Sequence, residues 1–168
     1  NVTVKFRYSI RVYNDGLDEN RNVKPGYVEG YAKEVKDHIP EGLQFLPEDN
    51  PDWVDEGNNV ITTRKLENTL LKPGEYADVE VVLTWINGAD NLGLKVNYAE
   101  ISEDYNEWGS PDNDSTPDNM KERHEDDDDE APVMLSIETG IEATYITLTL
   151  IVLTTLAGGI ILIKKYVM

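Results

Sequence analysis

The run Val2-Thr3-Val4-Lys5-Phe6-Arg7-Tyr8-Ser9-Ile10-Arg11-Val12 alternates without a break, apolar at the even positions and polar or basic at the odd ones. Successive side chains of a strand project to opposite faces, so this pattern predicts a strand with one face in a core and the other in water. Asn14-Asp15-Gly16 closes it with residues suited to a turn. The same reading extends along the chain. Residues 31–36 form a second strand. Ile39-Pro40-Glu41-Gly42 is a turn, with Leu43 and Phe45 alternating after it, and Trp53 and Val54 open a less regular stretch. Residues 60–63 are β-branched, as strands prefer. After Pro73-Gly74, the apolar positions Ala77, Val79, Val81, Leu83 and Trp85 alternate with Asp78, Glu80 and Thr84 up to Asn87-Gly88. Residues 94–101 form the last strand of the module.

About six or seven short strands with a turn signal roughly every ten residues predict a mainly β fold, an antiparallel β-sandwich over residues 1–102. Its expected core is Phe6, Tyr8, Ile10, Val35, Phe45, Val81, Leu83, Trp85 and Ile101. No helical period of any length precedes residue 143.

Charge divides the chain further. The net charge is −18, and phosphate binding needs clustered Lys and Arg, so nucleic acid is excluded as a partner. Residues 1–102 carry 18 acids against 11 bases, and residues 103–130 carry 13 acids against 2. The stretch 103–140 is expected to be an acidic, mostly disordered stalk, because high charge with few apolar residues cannot offset the entropy of ordering. The chain has no cysteine, which excludes disulfides and thiolate chemistry.

The segment 141–165 is expected to be a single transmembrane helix with a short basic tail. From Ala143 to Ile163 there are 21 residues without a charge. At about 1.5 Å each they span about 30 Å, the thickness of a bilayer core. Lys164 and Lys165 follow, and basic flanks stay cytoplasmic, so the N-terminus is expected outside the cell. The chain opens on Asn1 with no export signal, and upstream domains of the same polypeptide are expected.

Four pieces in order carry a resemblance: Arg11-Val12-Tyr13-Asn14-Asp15-Gly16; Asp37-His38-Ile39-Pro40-Glu41-Gly42-Leu43-Gln44-Phe45; Leu71-Lys72-Pro73-Gly74-Glu75; and Asn97-Tyr98-Ala99-Glu100-Ile101. Together they are similar to the bacterial surface-protein conserved repeat domain (domain of unknown function eleven) over about residues 4–102. The resemblance implies an immunoglobulin-like sandwich, repeated along cell-wall-associated proteins of Gram-positive bacteria, with no catalytic role. Its signature falls on Asp37, Pro40, Gly42, Pro73, Gly74 and Asn97. Read as chemistry, Pro40 fixes its own backbone and pushes Ile39 extended, and Gly42 permits a tight return. Asp37, just before that turn, is expected to hold it by accepting backbone N–H bonds.

Three sharper chemistries have candidates. Asp112, Asp114 and Asp118 offer hard oxygen ligands for calcium, without EF-hand spacing. Lys5 and Asn97, with Asp78 or Glu80 as the acid between them, are candidates for a Lys–Asn isopeptide; that needs a desolvated lysine, whereas Lys5 shares its strand face with Arg7 and Arg11. Thr139-Gly140 before the apolar span matches the end of a wall-sorting motif, but its Leu and Pro are missing, so a permanent anchor is preferred to cleavage there. His38 and His124 are the only histidines; both are expected to be exposed polar side chains, and no phosphate loop or triad pattern accompanies them. The expectation is a non-enzymatic structural or adhesive module, without cofactor, that anchors a larger protein to the membrane and presents it to host or neighbouring-cell ligands. The alternative is a calcium-rigidified interaction domain, favoured if Tyr27, Tyr31, Trp53 and Trp108 share one exposed face.

Overall fold

The computed structural model describes residues 4–86, 88, 91–110, 116–119 and 128–135, and the backbone of 146–150 and 166–167. They build two sheets and no α-helix. In the first sheet, β1 (Lys5–Tyr13) runs antiparallel to β6 (Tyr76–Trp85) over its whole length, from Lys5 opposite Thr84 to Tyr13 opposite Tyr76. β3 (Leu43–Phe45) flanks β6 on the far side. The second sheet has the order β4 (Val54–Gly57), β5 (Val60–Thr63), β2 (Tyr31–His38), β7 (Gly93–Tyr105), β8 (Asp128–Leu135), antiparallel throughout.

One apolar core lies between them. Phe6, Tyr8, Ile10 and Val12 of β1 and Val79, Val81 and Leu83 of β6 meet Ala32, Val35, Ile61, Ala99, Ile101, Ala131 and Val133 of the second sheet. The period of two puts those residues inside, and the intervening Lys5, Arg7 and Arg11 remain on the outer face. There, ion pairs link β1 to its neighbours: Arg7 to Glu80 at 2.8 Å and Arg11 to Asp78 at 2.8 Å.

Side-chain amides finish what the strands leave open. Asn14 is fully buried at the end of β1. Its Nδ2 donates to the carbonyls of Val28 and Leu71, and its Oδ1 accepts from the Gly16 amide. The Pro73-Gly74 turn closes against it, the Gly74 amide donating to the Asn14 carbonyl at 2.6 Å. Gly74 has φ +87 and sits against Leu17, a place only glycine fits without strain. Asn50 follows the 3-10 turn Pro47–Asp49 and acts as a missing strand partner for β6. It accepts from the Val82 amide at 2.7 Å and donates to the Val82 and Leu46 carbonyls at 2.9 Å. Asn50→Ala strips all three bonds at a buried site and is expected to cost about 2–3 kcal/mol in urea unfolding.

Four expectations need correction or restriction. The second strand continues to His38 rather than ending at Lys36, and the strand expected over 94–101 runs from Gly93 to Tyr105. The β region does not stop at residue 102, because β8 adds Asp128–Leu135 to the edge of β7, with Asp128 and Asp129 buried. The acids of that stretch read as solvated charge, but pairing with β7 is a long-range contact that no local pattern announces. Of the stalk, 111–115, 120–127 and 136–140 lie outside the described residues. So does the apolar span 143–163, apart from Ile146–Leu150. The backbone there is strand β9 (Ile146–Leu150), parallel to β1 from Phe6–Ile146 to Ile10–Leu150 and joined by β10 (Tyr166–Val167). No described helix is long and apolar enough to cross a membrane.

Candidate functional site

β2 carries Val35, Asp37 and Ile39 toward the core, and β7 carries Asn97, Ala99 and Ile101 toward the same core. Asp37 stands opposite Ala99 in the register, so Asn97 is its diagonal neighbour. Both polar residues are fully buried, and the Asn97 Nδ2 donates to Asp37 Oδ2 at 2.6 Å. From β1, Tyr8 enters the same region of the core. Its phenol is fully buried and is acted on by the Asp37 charge. Tyr8 Oη, Asp37 Oδ1 and Asn97 Oδ1 have no hydrogen-bond partner among the described residues.

A carboxylate with one amide donor in an apolar core is poorly solvated. Burial therefore pushes the Asp37 carboxyl up to about 7 from its ordinary 3.8, against the smaller opposing pull of the Asn97 bond. Burial, and then the Asp37 charge, also raise the Tyr8 phenol well above its usual range. The cluster offers no open face to a substrate.

This placement overturns the turn-holding role expected of Asp37. Its carboxyl meets Asn97 inside the sandwich, and the turn is closed instead by the Leu43 amide donating to the Pro40 carbonyl at 3.1 Å, with Gly42 at φ +93. The isopeptide set is not assembled either. Lys5 Nζ donates to Asp49 Oδ1 at 2.7 Å on the outer face of the first sheet, and Asp78 is paired with Arg11 six residues further along β1, roughly 20 Å away at strand rise. Asn97 belongs to the inner face of the other sheet. Of the signature residues, then, Asp37 and Asn97 are brought together, while Pro40, Gly42, Pro73 and Gly74 shape turns.

A second polar group occupies the outer face of the second sheet. His38 Nε2 lies 2.8 Å from Glu100 Oε1, and Glu100 is buried. His38 is therefore not the exposed side chain that the sequence suggested. Asp128 stands directly opposite Glu100 across β7 and β8, and Asp118 reaches back to pair with Lys36. Of the calcium candidates, Asp118 thus has a lysine partner, and Asp112 and Asp114 lie outside the described residues. Among the described residues no three His, Asp or Glu side chains are grouped so as to hold a metal. A cleft of about 170 Å³ opens beside the 3-10 turn, lined by Arg7, Asp49, Asp52, Trp53, Lys65 and Glu80 among others. Its charges are matched internally: Arg7 with Glu80, Lys65 with Asp52 at 2.7 Å, Asp49 with Lys5.

The four aromatics do not form one face. Trp53 is buried, its Nε1 donating to the Glu80 carbonyl at 2.7 Å, while Trp108 is exposed. Tyr31 pairs with Tyr105, Lys33 over both rings, and Tyr27 lies under Lys24. Sequence reasoning missed Asn50, Glu100 and the inward turn of Asp37. The last had a signal, because alternation from Val35 to Ile39 puts Asp37 on the apolar face. Compared with protein-family models, with curated proteins and with solved structures, the chain finds no match.

Proposed function

We propose that this chain is a non-enzymatic structural module of a bacterial cell-surface protein: an immunoglobulin-like sandwich held at the membrane by residues 143–163, with its N-terminus outside and Lys164 and Lys165 inside. The observation that carries this reading is the charge-free span itself, 21 residues closed by two lysines. The described body supports a mechanical role. Its surface charges are tied across strands, and its one fully buried acid–amide pair is sealed between the sheets.

The pairing of Ile146–Leu150 with β1 favours a second reading, in which these residues close the first sheet. The two exclude each other. If 146–150 belong to the sheet, only 151–163 remain, and 13 residues at about 1.5 Å each reach about 20 Å, short of a bilayer core of about 30 Å. The test is to express the whole chain behind an export signal in a bacterium and fractionate the cells. Under the first reading the chain stays with the membrane through carbonate washing and needs detergent for release. Appearance in the aqueous fraction as a monomer overturns it and leaves the second.

A further inference from the structure

We propose that Asp37 and Asn97 form a proton-operated lock between β2 and β7 on the core face of the second sheet, below Tyr8 of β1, closed when Asp37 is neutral and loosened when it ionises. The proposal is independent of the membrane reading, since every residue in it belongs to β1, β2 and β7.

The geometry comes first. Asp37 is fully buried, its one hydrogen bond comes from an amide that is itself fully buried, and three oxygens of the cluster have no partner among the described residues. A neutral carboxyl suits this setting, since it can accept the Asn97 N–H on one oxygen and offer its own O–H to one of the waiting oxygens. A carboxylate does not suit it, because it would add a charge and remove a donor.

Among the described residues no cation acts on the Asp37 carboxyl. To the same core the first sheet contributes Tyr8 from β1, which the Asp37 charge acts on, and apolar Val79, Val81 and Leu83 from β6. Ile61 of β5 and Ala99 of β7 stand beside it in the register, and Asp129 of β8 follows one strand beyond Ala99 on the same face. On β2 itself, Lys36 and His38 are engaged elsewhere, with Asp118 and Glu100. Burial and the Asn97 bond are the two causes acting on the carboxyl, and burial dominates.

The direction of the effect follows. Folding raises the carboxyl from 3.8 to about 7, so the folded state is fully favoured below pH 4, loses that advantage as pH rises to about 7, and stays at the lower level above it. The folding equilibrium constant should fall by up to about a thousandfold across that window, tenfold for each pH unit.

The test uses the whole chain, with detergent where it is needed for solubility. Urea unfolding is followed from pH 4 to pH 8 for the natural chain and for Asp37→Asn, and the side-chain carboxyl carbon of Asp37 is titrated by NMR in the natural chain. The difference between the two unfolding series cancels the other titrating groups. A carboxyl midpoint near 7, with a stability loss over the same window that Asp37→Asn lacks, is the expected result. A midpoint below 5, or an equal loss in Asp37→Asn, overturns the lock. If Asp37→Asn does not fold, the carbon titration of the natural chain decides alone.

Discussion

Asn97→Ala should destabilise the chain by about 3–5 kcal/mol at pH 8 and by less at pH 5, measured by urea unfolding. The substitution removes the one side-chain hydrogen bond that Asp37 has among the described residues and leaves the carboxyl buried. Breaking a buried polar pair from one side is among the costliest changes a core can suffer, because the remaining group keeps its full desolvation penalty. The pH dependence follows from the same bond. Asn97 is what pulls the Asp37 carboxyl back toward its ordinary range, so without it the carboxyl rises further and the stability loss extends to higher pH. Replacing both partners, Asp37→Val with Asn97→Val, removes the unmet polar groups together. This double variant should be more stable than Asn97→Ala alone at pH 8. Equal stability of Asn97→Ala and the natural chain at both pH values would show that the amide contributes nothing to holding the acid.

Trp53→Ala is the second large effect. Trp53 is 6% exposed, packs into the core shared by both sheets, and bonds the Glu80 carbonyl through its indole N–H. Deleting a buried Trp removes its contacts and leaves a cavity that the neighbours only partly fill, for about 3–5 kcal/mol. Here the Glu80 carbonyl also loses its donor. Trp108, at 56% exposed, provides the comparison. Trp108→Ala should stay within about 0.5 kcal/mol of the natural chain, as surface changes usually do. Thermal or urea unfolding of the two variants side by side is the check, and similar losses in both would contradict the packing described here.

Those two tryptophans also show how far a sequence can be read. Both stand in irregular stretches rich in Asp, Glu and Asn, and no periodicity distinguishes them. Their fates depend on long-range packing: Trp53 folds back onto the Glu80 carbonyl of β6, and Trp108, just past β7, stays exposed. By contrast, the unbroken alternation around Tyr8 was legible because a core on one face and water on the other impose it directly. Phe6, Tyr8, Ile10, Val35, Val81, Leu83 and Ile101 are buried as expected, and Phe45 and Trp85 pack against them half-buried. Val60–Thr63 forms a strand with the bounds its β-branched residues suggest. The site was half legible. Alternation carries Asp37 inward with Val35 and Asn97 inward with Ala99, but only the register of β2 against β7 makes them neighbours, and register depends on the partner strand. Glu100 was hidden for the opposite reason. It lies on the outer face, where charge is expected, and only its burial beside His38 sets it apart. The run 146–150 reads as part of a 21-residue charge-free membrane span, and its pairing with β1 is a long-range contact that no local pattern announces.

The margins of the second sheet have a consequence for crowded surroundings. β4, at one margin, carries Asp55 and Glu56. β8, at the other, carries exposed Glu130, with Pro132 two residues further on. A bare margin invites hydrogen bonding to the margin of another molecule, and like charges together with a proline discourage it. Copies arrayed shoulder to shoulder would therefore repel rather than zip into a continuous ribbon. Strong salt weakens that protection, so clumping of concentrated material should begin along these two flanks.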